Sequence, residues 1–486
     1  MIVEILGAKM LSPYLGMSHF VWTAQIAVTL VALAAGYYAG GKLADRSPNL
    51  SRLYWAIAAA ALYLAMTVLV TKPVAYWCLD LSLAVGSLLA SLFLFFVPLA
   101  LLAITGPFLV RVLTSSVAGV GGNVGRLTSI GTLGSLAGTL LIGYFIIPLM
   151  PNSVSMYATS TILLVTSAIY FLVFKRRISA PLVILLILGL APGLALPSVL
   201  RPKHKWVTEQ FRGNSHFGML QVIQRPDGCR YYMNDFLVQD TYDPERKQSI
   251  SHFTYMLSGL ARASTTNISD VLCIGLGIGI VPMEFANEGA KVDVAEINPA
   301  VIPVAARYFD FQPEKMNITI DDGRHFLNRC RKHYDAVILD AFLGDSSPSH
   351  LFTKEAFASI QKVLRPGGVL VINSFGSLRE GKDFFTGSLY KTLSAVFKSV
   401  RLFTSGDGGF FFTASDRSTA DFVRPPRVDN IHPDVRTEAQ STYAGVIVTI
   451  PEAGRVLTDD YNPAEFYDAG NREEFRRRMA TAAREM

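Results

Sequence analysis

The apolar residues of this chain are concentrated in long uninterrupted runs at its beginning. Phe20–Tyr38, Leu53–Val70, Leu79–Ala103, Ile130–Met150 and Met156–Phe174 are almost free of charge. A helix needs about 20 such residues to cross a hydrocarbon core of roughly 30 Å. Five runs of that kind predict membrane-spanning helices, because the buried helices of a soluble protein interleave polar positions. A sixth run, Leu182–Leu196, is shorter and is interrupted by Pro192. Past Arg201 the pattern changes. Met219, Gln221 and Ile223 alternate, Pro226-Asp227-Gly228 marks a turn, and Arg230–Met233 with Phe236–Val238 continues the alternation. These positions predict hairpin strands. A helix is expected over His252–Arg262.

At Asp270 the pattern changes to a short apolar run suited to a buried parallel strand. Asp270–Ile274 runs into Gly275-Leu276-Gly277-Ile278-Gly279, with a helix expected over Val281–Glu288. A second strand, Lys291–Ala295, ends at Glu296. A third, Ile318–Ile320, ends at Asp321-Asp322-Gly323, and a fourth, Tyr334–Leu339, ends at Asp340. Leu364–Ile372 supplies a turn and a fifth strand.

Composition sharpens this division. The apolar fraction of 51% over 486 residues is high for a wholly soluble chain. The net charge of +6 points to membrane topology before nucleic acid, since no aromatic-interleaved basic patch accompanies it. Cys78, Cys229, Cys273 and Cys330 lie far apart and form no CxxC or CxxH pair, so neither a metal site nor a disulfide framework is expected. Met1–Met10 has no small-residue cleavage site and does not read as a removable signal peptide. Lys42, Arg46 and Arg52 mark the segment after the first span as a cytoplasmic loop. A full sixth span would then carry the C-terminal half outside. A re-entrant Leu182–Leu196 or an embedded Met1–Leu15 keeps it in the cytoplasm, the side expected here. The small residues of Gly125–Gly138 are expected to pack against a neighbouring helix.

The chemistry lies at the strand ends. Glycines at alternate positions let the backbone turn sharply and approach a nucleoside. A carboxylate about 20 residues on, Glu296, is placed to accept hydrogen bonds from two ribose hydroxyls. Glycine spacing alone leaves dinucleotide and S-adenosylmethionine enzymes both open. Acidic residues at three successive strand ends favour an adenosine without pyrophosphate, whose charge they would repel.

With Gly40–Arg46, Gly125–Gly138, Gly275–Gly279, Glu296, Asp322-Gly323, Asp340–Asp345 and Thr458–Pro463, the chain resembles the membrane-fused relatives of the spermidine synthase (polyamine aminopropyltransferase) family. That resemblance implies an α-helical multi-pass membrane domain over residues 1–200 and a small β-subdomain over 201–250. A Rossmann-like transferase domain over 251–425 and a C-terminal tail over 426–486 complete it. It implies Gly275, Gly277, Gly279 and Gly323 around the nucleoside, Glu296 on the ribose, Asp322 on the adenine and Asp340 as the catalytic carboxylate. Gln239, Asp345, Phe253 and Tyr255 would line the amine side. The co-substrate would be decarboxylated S-adenosylmethionine or S-adenosylmethionine, with no metal. The expected partners are the lipid bilayer, a small amine and a second copy of the chain, at the cell membrane.

Three positions depart from the family pattern. Ile278 stands where an aspartate binds the aminopropyl amine, Phe253 where a tyrosine orients it, and Tyr255 where a glutamate is usual. Two alternatives to aminopropyl transfer therefore stay open: methyl transfer from S-adenosylmethionine, and a non-enzymatic sensor or transporter. Asp459 and Asp460 would restore acidity if the tail folds over the pocket, and Arg472–Arg484 reads as a solvated charged helix.

Overall fold

The computed structural model describes all residues except 17, 115, 117–118, 176–179, 196–205, 343–347, 405, 407–408, 420 and 486, and side chains to residue 477. The chain forms two compact units, Met1–Lys203 and His204–Met486.

The first unit is helical. After α1 (Ile2–Leu15) come α2 (His19–Arg46), α3 (Leu50–Cys78), α4 (Leu83–Leu113), α5 (Val120–Leu149), α6 (Asn152–Val173) and α7 (Ala180–Leu190). Helices α2 to α6 are the five, among the described residues, long and apolar enough to cross a membrane. They overlap the five predicted runs, and the Pro192 region yields only a shorter helix. Two local expectations change. Gly40–Arg46 is no loop but the end of α2, where Gly40 lies so close to the Ile104 backbone that a Cβ would press on it. Most of the glycine stripe of α5 is not packed against the described residues; Gly138, beside Ile2, is the exception among its glycines. Gly125, Gly131 and Gly134 have open space around them, and Val120–Leu140 buries no residue.

The second unit opens with an antiparallel meander: β1 (Thr208–Ser215), β2 (Gly218–Gln224), β3 (Arg230–Asn234), β4 (Leu237–Asp243) and β5 (Gln248–Ser249). The Pro226-Asp227-Gly228 turn joins β2 to β3, with Gly228 at φ +89°. Helix α8 (His252–Ser264) leads into the larger sheet, and its apolar residues sit in the core.

That sheet contains β6 (Asp270–Ile274), β7 (Lys291–Glu296), β8 (Asn317–Ile320), β9 (Tyr334–Leu339), β10 (Leu364–Phe375), β11 (Ser399–Thr404) and β12 (Gly409–Ser415). Their spatial order is β11-β12-β10-β9-β6-β7-β8. Strands β6 to β10 pair in parallel, whereas β12 is antiparallel to β10 and to β11. This is a Rossmann-like sheet with an antiparallel hairpin added at one edge. Chain order reverses between β6 and β9, where open α/β sheets bind ligands beyond the carboxyl ends of the strands. Helices α9 (Ile280–Asn287), α10 (Val301–Tyr308), α11 (Gly323–Arg329), α12 (Lys354–Val363) and α13 (Phe384–Ser394) connect the strands. The tail contributes α14 (Pro433–Ala444) and α15 (Ala469–Glu485).

The two ends of the strands differ electrostatically. At the amino ends, Lys332 bridges Asp270 and Asp293 at 3.0 and 2.9 Å, and Arg365 bridges Asp270 and Asp335 at 2.7 and 2.9 Å. At the carboxyl ends, among the described residues, no lysine or arginine pairs with Glu296, Asp322 or Asp340. Two cations thus sit among three carboxylates at the amino ends, whereas at the carboxyl ends the described partner of Asp322 is His350.

Candidate active site

A cleft of about 410 Å³ opens over the carboxyl ends of β6, β7 and β9, within the range of small-molecule sites. Its floor is the turn after β6. Gly275 has φ +97°, and a Cβ there would collide with the carbonyl oxygen of Asp340. The glycine thus allows the β6 and β9 ends to approach. Gly279 has φ +86° and lies against the ring of Phe311, away from the cleft lining, so it shapes the turn from behind.

Glu296 is buried at the end of β7. Its two carboxylate oxygens accept the backbone N–H groups of Leu276, at 2.9 Å, and Asn298, at 2.7 Å. Burial pushes its pKa up, against these hydrogen bonds. Asp322 caps α11 by accepting the N–H groups of Arg324 and His325 at 2.8 and 3.1 Å, and its second oxygen meets His350 Nε2 at 2.9 Å. Burial raises its pKa, but the His350 and backbone contacts outweigh that and hold it below the usual carboxylate range.

Asp340 follows β9, and its N–H donates to Ile274 O at 3.0 Å, which extends the parallel ladder by one rung. Burial pushes its pKa up to about 6, opposed by a 2.9 Å hydrogen bond from Asn373 Nδ2 on β10. A carboxylate in that range is ionised at neutral pH yet basic enough to take a proton.

The structure brings together Gly275, Gly277, Glu296, Asp322, Gly323, Asp340, Gln239 and Phe253 in the cleft lining. Asp345 lies outside the described residues. Tyr255 is not in the lining. It is buried on α8, and its hydroxyl donates to Ser249 O at 2.7 Å. Ile278 is 1% exposed and points into the core. Asp459 does not face the cleft either. It pairs with Arg324 at 2.9 Å and accepts from Thr353 at 2.6 Å, which ties the tail to α11 and the start of α12.

Among the lining residues that the sequence does not single out are His350, described above, and Asp240, Asn373 and Phe475. Asp240, on β4, is 4% exposed, with a pKa pushed up to about 7. Asn373 reads only as one more strand residue. Phe475 is the single aromatic in the charged run of α15, and its ring lies 4.5 Å from that of Phe375, itself 5.1 Å from Phe342. The last helix is therefore not a solvated face: Arg472 and Arg476 are 6% and 3% exposed, and Phe475 walls the cleft.

Residues 251–405 match the family described as the spermine/spermidine synthase domain. An N-terminal histidine N-methyltransferase of Emericella nidulans is 35% identical over 30% of this chain and 26% of its own length. A polyamine aminopropyltransferase of Vibrio vulnificus is 37% identical over 27% of this chain and 42% of its own. Spermidine synthase 2 of Arabidopsis thaliana is 30% identical over 44% of this chain and 66% of its own. Each similarity thus spans less than two thirds of the relative. The C-terminal half of the chain contains a spermidine synthase domain.

Proposed function

We propose that this chain is a membrane-embedded, spermidine synthase-like transferase that moves an aminopropyl group from decarboxylated S-adenosylmethionine to a polyamine-type amine. The observation that carries this reading is Asp340: a carboxylate at the sheet's switch point, without a cation partner among the described residues, oriented by Asn373 and held at a pKa of about 6.

The residues present fit the co-substrate. Glu296 would accept the ribose hydroxyls, Asp322 the adenine amino group, and the Gly275–Gly277 backbone leaves room for the nucleoside. Asp340 would receive the acceptor as an ammonium, whose own pKa falls beside a sulfonium charge. The raised carboxylate and the lowered amine then lie closer in acidity, and Asp340 takes the proton as the nitrogen attacks. The new bond is N–C; the C–S bond breaks, and its electron pair stays on sulfur as the neutral thioether of methylthioadenosine. Asn373 would keep the carboxylate pointed at that nitrogen. The lining of Phe253, Phe342, Phe375 and Phe475 would exclude water.

The five long apolar helices support anchoring in a bilayer, with the nucleoside domain in the cytoplasm where its donor is made. A second reading, methyl transfer from S-adenosylmethionine, is favoured by the histidine methyltransferase relative and by Ile278, which removes an acidic group from the turn. Purified protein in detergent, given either donor and a panel of amines, separates the two. Methylthioadenosine released from the decarboxylated donor alone supports aminopropyl transfer. S-adenosylhomocysteine supports methyl transfer and overturns it, and the absence of both products overturns both.

A further inference from the structure

Asp240 reaches the cleft from the β-meander, far in sequence from the strand-end carboxylates. Its Oδ1 accepts from Thr241 N–H at 2.9 Å and from the Ser249 hydroxyl at 3.3 Å. Its Oδ2 stands 4.0 Å from the point where a Cβ would lie on Gly277, so the carboxylate faces the glycine turn itself. On the other side of that turn, Asp340 presses its backbone against Gly275. Two carboxylates therefore flank one cavity, and among the described residues no lysine or arginine pairs with either.

Such an arrangement is unfavourable without a cation. Burying an ionised carboxylate that lacks a counter-ion is strongly disfavoured. Desolvation, and the charge of Asp340, push Asp240 upward against the hydrogen bonds from Ser251, Thr241 and Ser249. Those bonds fix the carboxylate, while the glycine turn leaves space directly before it. Ile278 faces the core and supplies no acid there.

We infer that Asp240 selects the donor: it takes the primary ammonium at the end of a three-carbon arm on the nucleoside sulfonium, and its charge disfavours an arm that also carries a carboxylate. This rests on the proposed aminopropyl transfer and adds the residue that sets its specificity.

Titration calorimetry on the full chain in detergent tests it with three ligands: decarboxylated S-adenosylmethionine, S-adenosylmethionine and methylthioadenosine. The wild type is expected to prefer the decarboxylated donor over S-adenosylmethionine by about 50-fold or more, as a close charge pair can provide. Asp240→Asn keeps an oxygen for Thr241 and Ser249; it should shrink that preference to within about threefold, yet bind methylthioadenosine, which has no amine, within about threefold of wild type. A preference that survives in Asp240→Asn overturns the assignment while the transfer reading stands. An equal loss of methylthioadenosine binding overturns it too, since the residue then acts on the fold. A wild type that prefers S-adenosylmethionine removes the transfer reading, and the assignment with it.

Discussion

Asn373 Nδ2 donates a 2.9 Å hydrogen bond to Asp340 Oδ1, linking the side chains of neighbouring parallel strands at the edge of the cleft. The bond stabilises the charged carboxylate and opposes the desolvation that raises it. Asn373→Leu removes the donor, so the carboxylate becomes harder to ionise. The acid limb of kcat/KM should move to higher pH by about one unit, and activity at pH 7 should fall about twofold while activity at about pH 8.5 stays nearly unchanged. A pH–rate profile of the variant checks this; an unmoved limb refutes it.

The raised pKa of Asp340 also has a consequence for stability. The folded protein keeps a proton on Asp340 up to about pH 6, which the unfolded chain gives up near the ordinary aspartate value of 3.8. Stability therefore falls as pH rises through that window, and the loss is complete above it. Asp340→Asn removes the titration, so it should stabilise the folded domain by ~1–3 kcal/mol at pH 8 and by little at pH 4. Thermal unfolding of both proteins at the two pH values measures the difference.

Glu296 is tied to two backbone N–H groups and, by the proposal, to the ribose. Glu296→Gln replaces one acceptor oxygen with a donor, at an oxygen that Leu276 or Asn298 already uses. Nucleoside affinity should drop about 10- to 100-fold, because buried donors are left unpaired. Calorimetry with methylthioadenosine measures it, free of any effect on the amine.

Phe475 closes the cleft from the C-terminal helix. Phe475→Ala opens the wall beside Phe375 and should raise KM for the acceptor about tenfold, with the donor Kd nearly unchanged. A donor Kd that moves with the acceptor KM would place Phe475 on the nucleoside instead.

Much of this was legible from sequence because parallel strands announce themselves. Asp270–Ile274 and Tyr334–Leu339 are short, mainly apolar runs followed by Gly275 and Asp340, Lys291–Glu296 ends in its carboxylate, and strand-end placement follows from the order of elements alone. Asp240, Asn373 and Phe475 were not legible for a different reason. Each reaches the cleft through a long-range fold: a meander laid over the sheet edge, a strand paired to its neighbour, a helix returning from the tail. No local pattern around them signals that return. Tyr255 and Asp459 err in the opposite direction. Their chemistry suits an active site, but a backbone carbonyl satisfies one and Arg324 the other. The antiparallel β11–β12 hairpin was not legible either: Ser399–Thr404 does not alternate strictly, with Leu402 and Phe403 both buried side by side.

The most direct test of the central role is the turnover of Asp340→Asn with decarboxylated S-adenosylmethionine and an amine that the wild type accepts. Loss of the base should cut methylthioadenosine release by roughly 10²–10⁴-fold, with binding of the nucleoside held within a few-fold. Release at the wild-type rate would contradict the assignment of Asp340 as the group that takes the proton.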